Sequence, residues 1–289
     1  MSSDPKINKV IGRRPFGPLS DEVPVIGQGT WKMGRAGDRG HEVAALRAGL
    51  ARGMTHIDTA EMYGSEEMIA EAIRDVPRDR LFLVSKVLPQ NATRTGTIRA
   101  CEASLRRLGV DHLDAYLLHW RGSVPLAETL GAMQALLQQG KIRALGVSNF
   151  DVDDLKEAEA LLGGTPIACN QVLYHLGQRH IDTGLVAYCA HRGIAVVAYS
   201  PFGQGDFPGP RSPGRRILDA VAARHGATAH QVALAFLTRD PSVFAIPKTS
   251  SAAHAEDNSG ALTLRLDPQD IAAIDAAFPA RDEGSLPSN

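Results

Sequence analysis

The chain has 289 residues, a formal net charge of -1 and 44% hydrophobic residues. That apolar content supports a sizeable core and excludes a disordered chain. Near-zero net charge gives no electrostatic case for nucleic acid or an anionic membrane as partner, and the longest apolar stretches, such as Ile194–Tyr199, fall far short of the roughly 20 residues that a bilayer span needs.

Met1 to Lys9 is polar and has no apolar signal segment, which points to the cytoplasm. Lys9 to Gly17 is predicted as a short hairpin arm and Val23–Gly29 as the first strand. His41–Arg52 then carries Val43, Ala44, Leu46, Ala48 and Leu50 at helical spacing. Strands are predicted at Met54–Asp58, Leu81–Val87 and Leu113–His119, with a helix over Ile98–Leu108 between the last two. Pro125–Gln138 reads as a helix, with proline near its start and Gly140 just past its end. Ile142–Val147 follows as a strand. The helix Asp151–Leu162 opens on an acidic cap candidate and stops at Gly163-Gly164. Strands follow at Ile167–Gln171 and Ile194–Tyr199. The Gly/Pro-rich stretch Phe202–Gly214 is expected to be a long mobile loop of the kind that covers a site. Helices at Arg215–His225 and Thr228–Arg239 precede the last strand, Val243–Ile246. Eight strands alternating with helices predict an α/β fold, a (β/α)8 TIM barrel with an N-terminal hairpin arm and an extra C-terminal helix, forming one domain over 1–289. An open, doubly wound sheet is the alternative. Cys101, Cys169 and Cys189 are widely spaced and form no CxxC, so they read as core residues in a reducing compartment.

Four residues at or just beyond the ends of apolar runs carry the chemistry: Asp58, Tyr63, Lys86 and His119. A barrel places catalytic groups around one mouth in this way. Asp58 shares an inward face with His56. Lys86 ends an apolar strand, where a buried ammonium needs a partner, and Asp58 is a natural one. A free phenol has a pKa near 10, and a neighbouring lysine cation is expected to lower that of Tyr63. His119 can orient a carbonyl. Each residue has an ordinary alternative: a helix cap or turn carboxylate for Asp58, a lysine reaching solvent, a loop aromatic over the core, a histidine bonded to backbone. Together the four point to carbonyl reduction with proton donation by tyrosine.

The motifs around them resemble the aldo-keto reductases. They are Gly27-Gln28-Gly29-Thr30-Trp31, His56-Ile57-Asp58-Thr59-Ala60, Glu61-Met62-Tyr63-Gly64, Val84-Ser85-Lys86, Leu117-Leu118-His119-Trp120, Gly146-Val147-Ser148-Asn149-Phe150, Asn170-Gln171, Tyr199-Ser200-Pro201 and Ile246-Pro247-Lys248. The resemblance runs from about Val23 to Asp275 and leans toward a bacterial branch that includes methylglyoxal reductases. It implies the tetrad Asp58, Tyr63, Lys86 and His119, and NADPH as cofactor with NADH as a weaker alternative. Ser148, Asn149 and Gln171 would then bind the carboxamide, Tyr199 would stack on the nicotinamide, and Ser200, Phe202 and Gly203 would follow the pyrophosphate. Lys248 and Thr249 would hold the 2′-phosphate, while Thr30, Trp31, Asp58, Pro201 and Ile246 would complete the cofactor contacts. Where the family often has a phosphate-gripping arginine, this chain has His254, so its NADPH preference is expected to be weaker. Asp257 stands where a glutamate near the adenine is usual, and Asn258 is retained.

Trp31, Met62, Tyr63, His119 and Trp120 would line the substrate end, an apolar and adaptable wall for a small-molecule carbonyl. A short polar tail after Phe278 suggests an open site, and Arg121 is either an attractor of anionic substrates or a solvated loop residue. A monomer is expected. Three other functions remain open at this point: a Schiff-base aldolase using Lys86, a metal hydrolase built on His56, Asp58 and His119, and a non-catalytic nicotinamide-binding regulatory barrel.

Overall fold

The structure is a computed structural model that describes residues 12–34, 38–282, 284 and 286. Two short strands, β1 (Arg13–Pro15) and β2 (Glu22–Pro24), pair antiparallel with Arg14 opposite Val23. The expected hairpin is present, but its second arm takes the start of the strand predicted over Val23–Gly29. Pro24 has no N–H to donate and suits the end of an edge strand. The predicted arm residues Lys9 to Ile11 lie outside the described residues.

The main sheet holds eight parallel strands: β3 (Gln28–Gly29), β4 (His56–Asp58), β5 (Phe82–Val87), β6 (Leu113–Leu118), β7 (Ile142–Ser148), β8 (Ile167–Leu173), β9 (Ala195–Tyr199) and β10 (Val243–Ala245). Each pairs with its neighbour in sequence, so the order never reverses as it would in a doubly wound sheet. The two edges meet through parallel bridges, Ile26 with Ala245 and Gly29 with Lys248. Gly27 N–H donates to Ala245 O at 2.8 Å, and Ala245 N–H to Val25 O at 2.9 Å. The sheet is therefore a closed barrel.

Helices follow the strands: α1 (Arg39–Ala51), α2 (Glu66–Ile73), α3 (Arg94–Leu108), α4 (Leu126–Gln138), α5 (Val152–Leu162), α6 (Leu185–Arg192), α7 (Pro213–His225), α8 (Ala229–Leu237), α9 (Ala252–Ser259) and α10 (Pro268–Ala277). α10 is the extra C-terminal helix. α2, α6 and α9 have eight residues each, about two turns, too short for a helical period to stand out in the sequence. The predicted stop and start signals hold for α5, which opens on an Asp151/Asp154 capping box and ends at Gly163 with φ 56°.

Every residue of β5, β6 and β8 is buried, as expected for strands covered by helices outside and a packed interior inside. Phe16, carried by the hairpin, plugs the barrel floor. Its ring lies 4.6 Å from Phe82, 5.0 Å from Phe244 and 5.7 Å from His56. Gly27 passes so close to β4 that a Cβ there would sit 2.8 Å from His56 O and 2.9 Å from the His56 ring, which only glycine allows.

Candidate active site

The opposite end of the barrel carries the predicted chemistry. Asp58 is the last residue of β4, Lys86 the penultimate residue of β5, and His119 follows β6 directly. Tyr63 sits on the loop between β4 and α2. Asp58, Lys86, Tyr63 and His119 are 1, 0, 9 and 8% exposed, so their interactions act with little solvent screening.

Lys86 Nζ donates to Asp58 Oδ1 at 2.6 Å, to Thr59 O at 2.8 Å and to Tyr63 OH at 3.5 Å. Tyr63 OH lies 3.4 Å from His119 Nε2. Asp58 Oδ2 accepts from Gln171 Nε2 at 2.7 Å, which orients the carboxylate. Burial pulls the Lys86 ammonium down, but Asp58 and then Tyr63 outweigh it and hold its pKa above the ordinary lysine value. Lys86 is thus a charged, fully enclosed group, whereas a Schiff-base nucleophile needs a neutral amine. Burial pushes the Asp58 carboxyl up, against the opposing pull of Lys86 and Gln171.

Tyr63 corrects one expectation. Burial raises its pKa, Lys86 lowers it and Asp58 raises it, and the net shift is upward. Burial, joined by the nearby Asp58 carboxylate, outweighs the Lys86 cation. The phenol therefore keeps its proton at neutral pH, and the lysine limits how costly its loss becomes. Burial, with Lys86 adding to it, drives His119 down to about 3, so its imidazole is neutral at pH 7 and can orient an oxygen without protonating it.

His56 is fully enclosed by Phe16, Phe82 and Phe244 at the other end of the barrel. Burial, then Lys86, lowers it to about 3. Neither of its nitrogens has a hydrogen-bond partner, so it is a core residue and not a ligand beside His119. Among the described residues no three His, Cys, Asp or Glu side chains stand close enough to hold a metal ion. His56 and His119, the most strongly depressed histidines, set an acid limit on stability. They stay neutral in the fold, while the unfolded chain takes up protons near pH 6.5. Stability is therefore fully present above that pH and falls as pH drops from 6.5 toward 3. Between pH 7 and pH 5 each histidine is expected to cost about 2 kcal/mol. Urea unfolding at the two pH values measures the drop, and a His56→Phe variant should show about 2 kcal/mol less of it.

A cavity of about 420 Å³ opens above the four residues. Its wall includes Thr30, Trp31, Asp58, Met62, Tyr63, His119, Trp120, Ser148, Asn149, Gln171, Tyr199, Ser200, Pro201, Phe202, Ile246 and Lys248, all named by sequence. One side is polar and tightly built. Ser148 Oγ donates to Gln171 O at 2.8 Å, Asn149 Nδ2 donates to His119 O at 3.3 Å, and Tyr199 OH donates to Asn149 Oδ1 at 3.0 Å. Asn149 and Ser200 take positive φ, 59° and 50°, which turns the chain sharply over the barrel mouth. Hydroxyl and amide groups beside a phenol ring suit a flat, carboxamide-bearing ring. Exposed Lys248, bonded through Nζ to Ser250 Oγ at 2.8 Å, offers a cation at the rim for a phosphate. The residues present thus fit a nicotinamide dinucleotide.

Some expected residues stand apart from this wall. Gly203 packs instead against the His175 ring, where a Cβ would lie 3.1 Å from Nδ1; Gln204 and Gly205 line the cavity, as does Lys32. Thr249 accepts from Ser251 N–H at 3.0 Å, and His254 is exposed in the first turn of α9. Asp257 binds α8, accepting from Gln231 Nε2 at 2.9 Å and Thr228 Oγ at 3.1 Å, and Asn258 is buried. Phe202–Gly214 is not structureless. Gly203–Gly205 forms a 3-10 turn, and Phe207 stacks on His230 at 4.2 Å with Phe202 edge-on at 4.9 Å to the same ring. Arg121 is neither free for anions nor simply solvated, since Asp154 and Glu157 hold its guanidinium at 2.5 and 2.7 Å.

The model of the Aldo/keto reductase family matches residues 25–278. The chain belongs to that family. It is an oxidoreductase. Methylglyoxal reductase YeaE of Escherichia coli (strain K12) is 47% identical over 262 residues, covering 89% of this chain and 92% of the relative. Glyoxal reductase of Bacillus subtilis (strain 168) is 34% identical over 88% of this chain and 89% of its own. The crystal structure of an aldo-keto reductase from Klebsiella pneumoniae in complex with NADPH is similar at TM-score 0.87 and 44% identity. It covers 97% of this chain and 100% of that one.

Proposed function

We propose that this protein is an NADPH-dependent reductase of small aldehydes and ketones, methylglyoxal among them, with Tyr63 as the proton donor. The observation that carries this is the convergence of Lys86 Nζ and His119 Nε2 on one buried phenol, 3.5 and 3.4 Å away, under a cavity. The naming of a 47% identical relative as a methylglyoxal reductase and of a 44% identical structure as an NADPH complex supports the choice of substrate and cofactor.

NADPH, when bound, supplies hydride to the carbonyl carbon. Ser148, Asn149 and Gln171 would hold its carboxamide, Tyr199 its ring, and Lys248 and Thr249 its 2′-phosphate. The substrate oxygen docks between Tyr63 OH and His119 Nε2, against Trp31, Met62 and Trp120. Neutral His119 orients that oxygen by hydrogen bonding. Lys86 is fixed in its charged form by Asp58 and has no open path to the substrate. Tyr63 therefore supplies the proton as charge grows on oxygen, and Lys86 steadies the phenolate left behind. Donors set in place beforehand for a developing charge are usually the largest catalytic contribution. Loss of NADPH absorbance on adding methylglyoxal tests the proposal; no turnover with any aldehyde or ketone would refute it.

The three cysteines are buried and unpaired, which supports a reducing cytoplasm. A monomer is the oligomeric state of this reading, and gel filtration checks it; of the exposed large hydrophobics among the described residues, Trp120 and Leu161, the first lines the cavity. At the phosphate end, His254→Arg is expected to lower the KM for NADPH about tenfold and leave that for NADH unchanged, as steady-state kinetics with both cofactors will show.

A further inference from the structure

Tyr63 rides on a loop, and a loop must be held if its hydroxyl is to meet two partners at once. From Asp58 the backbone continues along the end of β5. Thr59 N–H donates to Val84 O at 2.8 Å, and Glu61 N–H to Lys86 O at 3.3 Å. The chain then turns, with Tyr63 N–H donating to Ala60 O at 3.0 Å. The Glu61 side chain reaches back over the same strand end. Its Oε1 accepts from Leu88 N–H at 2.6 Å, and both carboxylate oxygens accept from Asn91 Nδ2 at 3.1 Å. Leu88 lies just past the last residue of β5, beyond the reach of the strand ladder. Charge-assisted bonds of this kind are about twice as strong as neutral ones.

We infer that Glu61 is a positioning residue: its carboxylate bolts the loop carrying Met62 and Tyr63 to the strand end carrying Lys86, and so fixes the distance between phenol and ammonium. The inference rests on Tyr63 being the proton donor. Glu61 stands two positions before Tyr63 and Leu88 two positions after Lys86, so one bolt spans both members of the pair. A misplacement of about 1 Å in a reacting group costs up to roughly a hundredfold in rate. The residues that would hold the carboxamide and nicotinamide ring, Ser148, Asn149, Gln171 and Tyr199, lie on or beside β7, β8 and β9, and the Glu61 carboxylate bonds instead to Leu88 and Asn91.

The test compares Glu61→Ala, Glu61→Asp and Glu61→Gln with wild type. The readouts are methylglyoxal turnover with NADPH, NADPH binding by tryptophan fluorescence, and thermal unfolding as a check on folding. Glu61→Ala should lose about 10- to 100-fold in kcat with NADPH affinity within twofold of wild type. Glu61→Asp keeps the charge but shortens the reach by one methylene, so it should lose kcat as well. Glu61→Gln keeps an oxygen for Leu88 N–H and should recover most of the loss. In a Tyr63→Phe background Glu61→Ala should cost nothing further, since the group it positions is gone. Glu61→Ala and Glu61→Asp at full kcat, a loss of equal size in the Tyr63→Phe background, or a parallel loss of NADPH affinity would each overturn the inference. Wild-type inactivity would instead strike the carbonyl-reductase proposal itself.

Discussion

Tyr63→Phe is expected to lower kcat on methylglyoxal by about a hundred- to a thousandfold while NADPH binds as it does to wild type. The substitution removes one oxygen and no packing, because the ring stays edge-on to His119 at 5.5 Å. No neighbour can replace the lost proton. His119 is neutral down to about pH 3, and Lys86 is held by Asp58 at 2.6 Å and Thr59 O at 2.8 Å. In the cofactor wall, the bonds from Ser148 to Gln171 O, Asn149 to His119 O, Gln171 to Asp58 and Tyr199 to Asn149 do not involve Tyr63. Single-turnover kinetics would show the loss in the chemical step. A variant retaining wild-type kcat would mean that the proton comes from elsewhere.

Lys86→Met is expected to be the most damaging single change to the site, because it strikes stability and activity together. It leaves the Asp58 carboxylate 1% exposed with Gln171 as its remaining side-chain partner. Breaking a buried pair in this way costs about 3–5 kcal/mol, which urea unfolding at pH 7 would measure. Turnover should fall at least about a hundredfold, since the phenolate loses its cation. The double variant Asp58→Asn, Lys86→Met removes both charges and should regain most of the stability but none of the activity. Equal stability of Lys86→Met and wild type would contradict the reading of Lys86 and Asp58 as a mutually dependent ion pair.

The barrel was legible because its signals were redundant. Apolar runs ending in Asp58, Lys86 and His119 mark both the strands and the mouth they open on, and Gly140 and Gly163 mark the ends of α4 and α5. What stayed hidden depends on distance in space. No local pattern tells that Glu22–Pro24 leaves the barrel to pair with Arg13–Pro15, or that Phe207 finds His230. The resemblance gives Asp257 only a place near the adenine, and its bonds to Thr228 and Gln231 across a helix contact show only in three dimensions. Residue types alone also misjudge balance. Lysine beside tyrosine suggests a lowered phenol pKa, but burial, with the Asp58 carboxylate adding to it, outweighs the lysine. In the sequence Glu61 is one residue of the Glu61-Met62-Tyr63-Gly64 motif, and only its contacts with Leu88 and Asn91 give it a role.

One phenol, Tyr63, protonates an oxygen which neutral His119 holds in place. A crystal structure of the protein with NADP and a small unreactive carbonyl compound tests it most directly. The ligand oxygen should lie within hydrogen-bonding distance of both Tyr63 OH and His119 Nε2, with Lys86 Nζ still on Asp58. A carbonyl bound away from Tyr63, or a Tyr63 hydroxyl turned out of the cavity with cofactor in place, would contradict it.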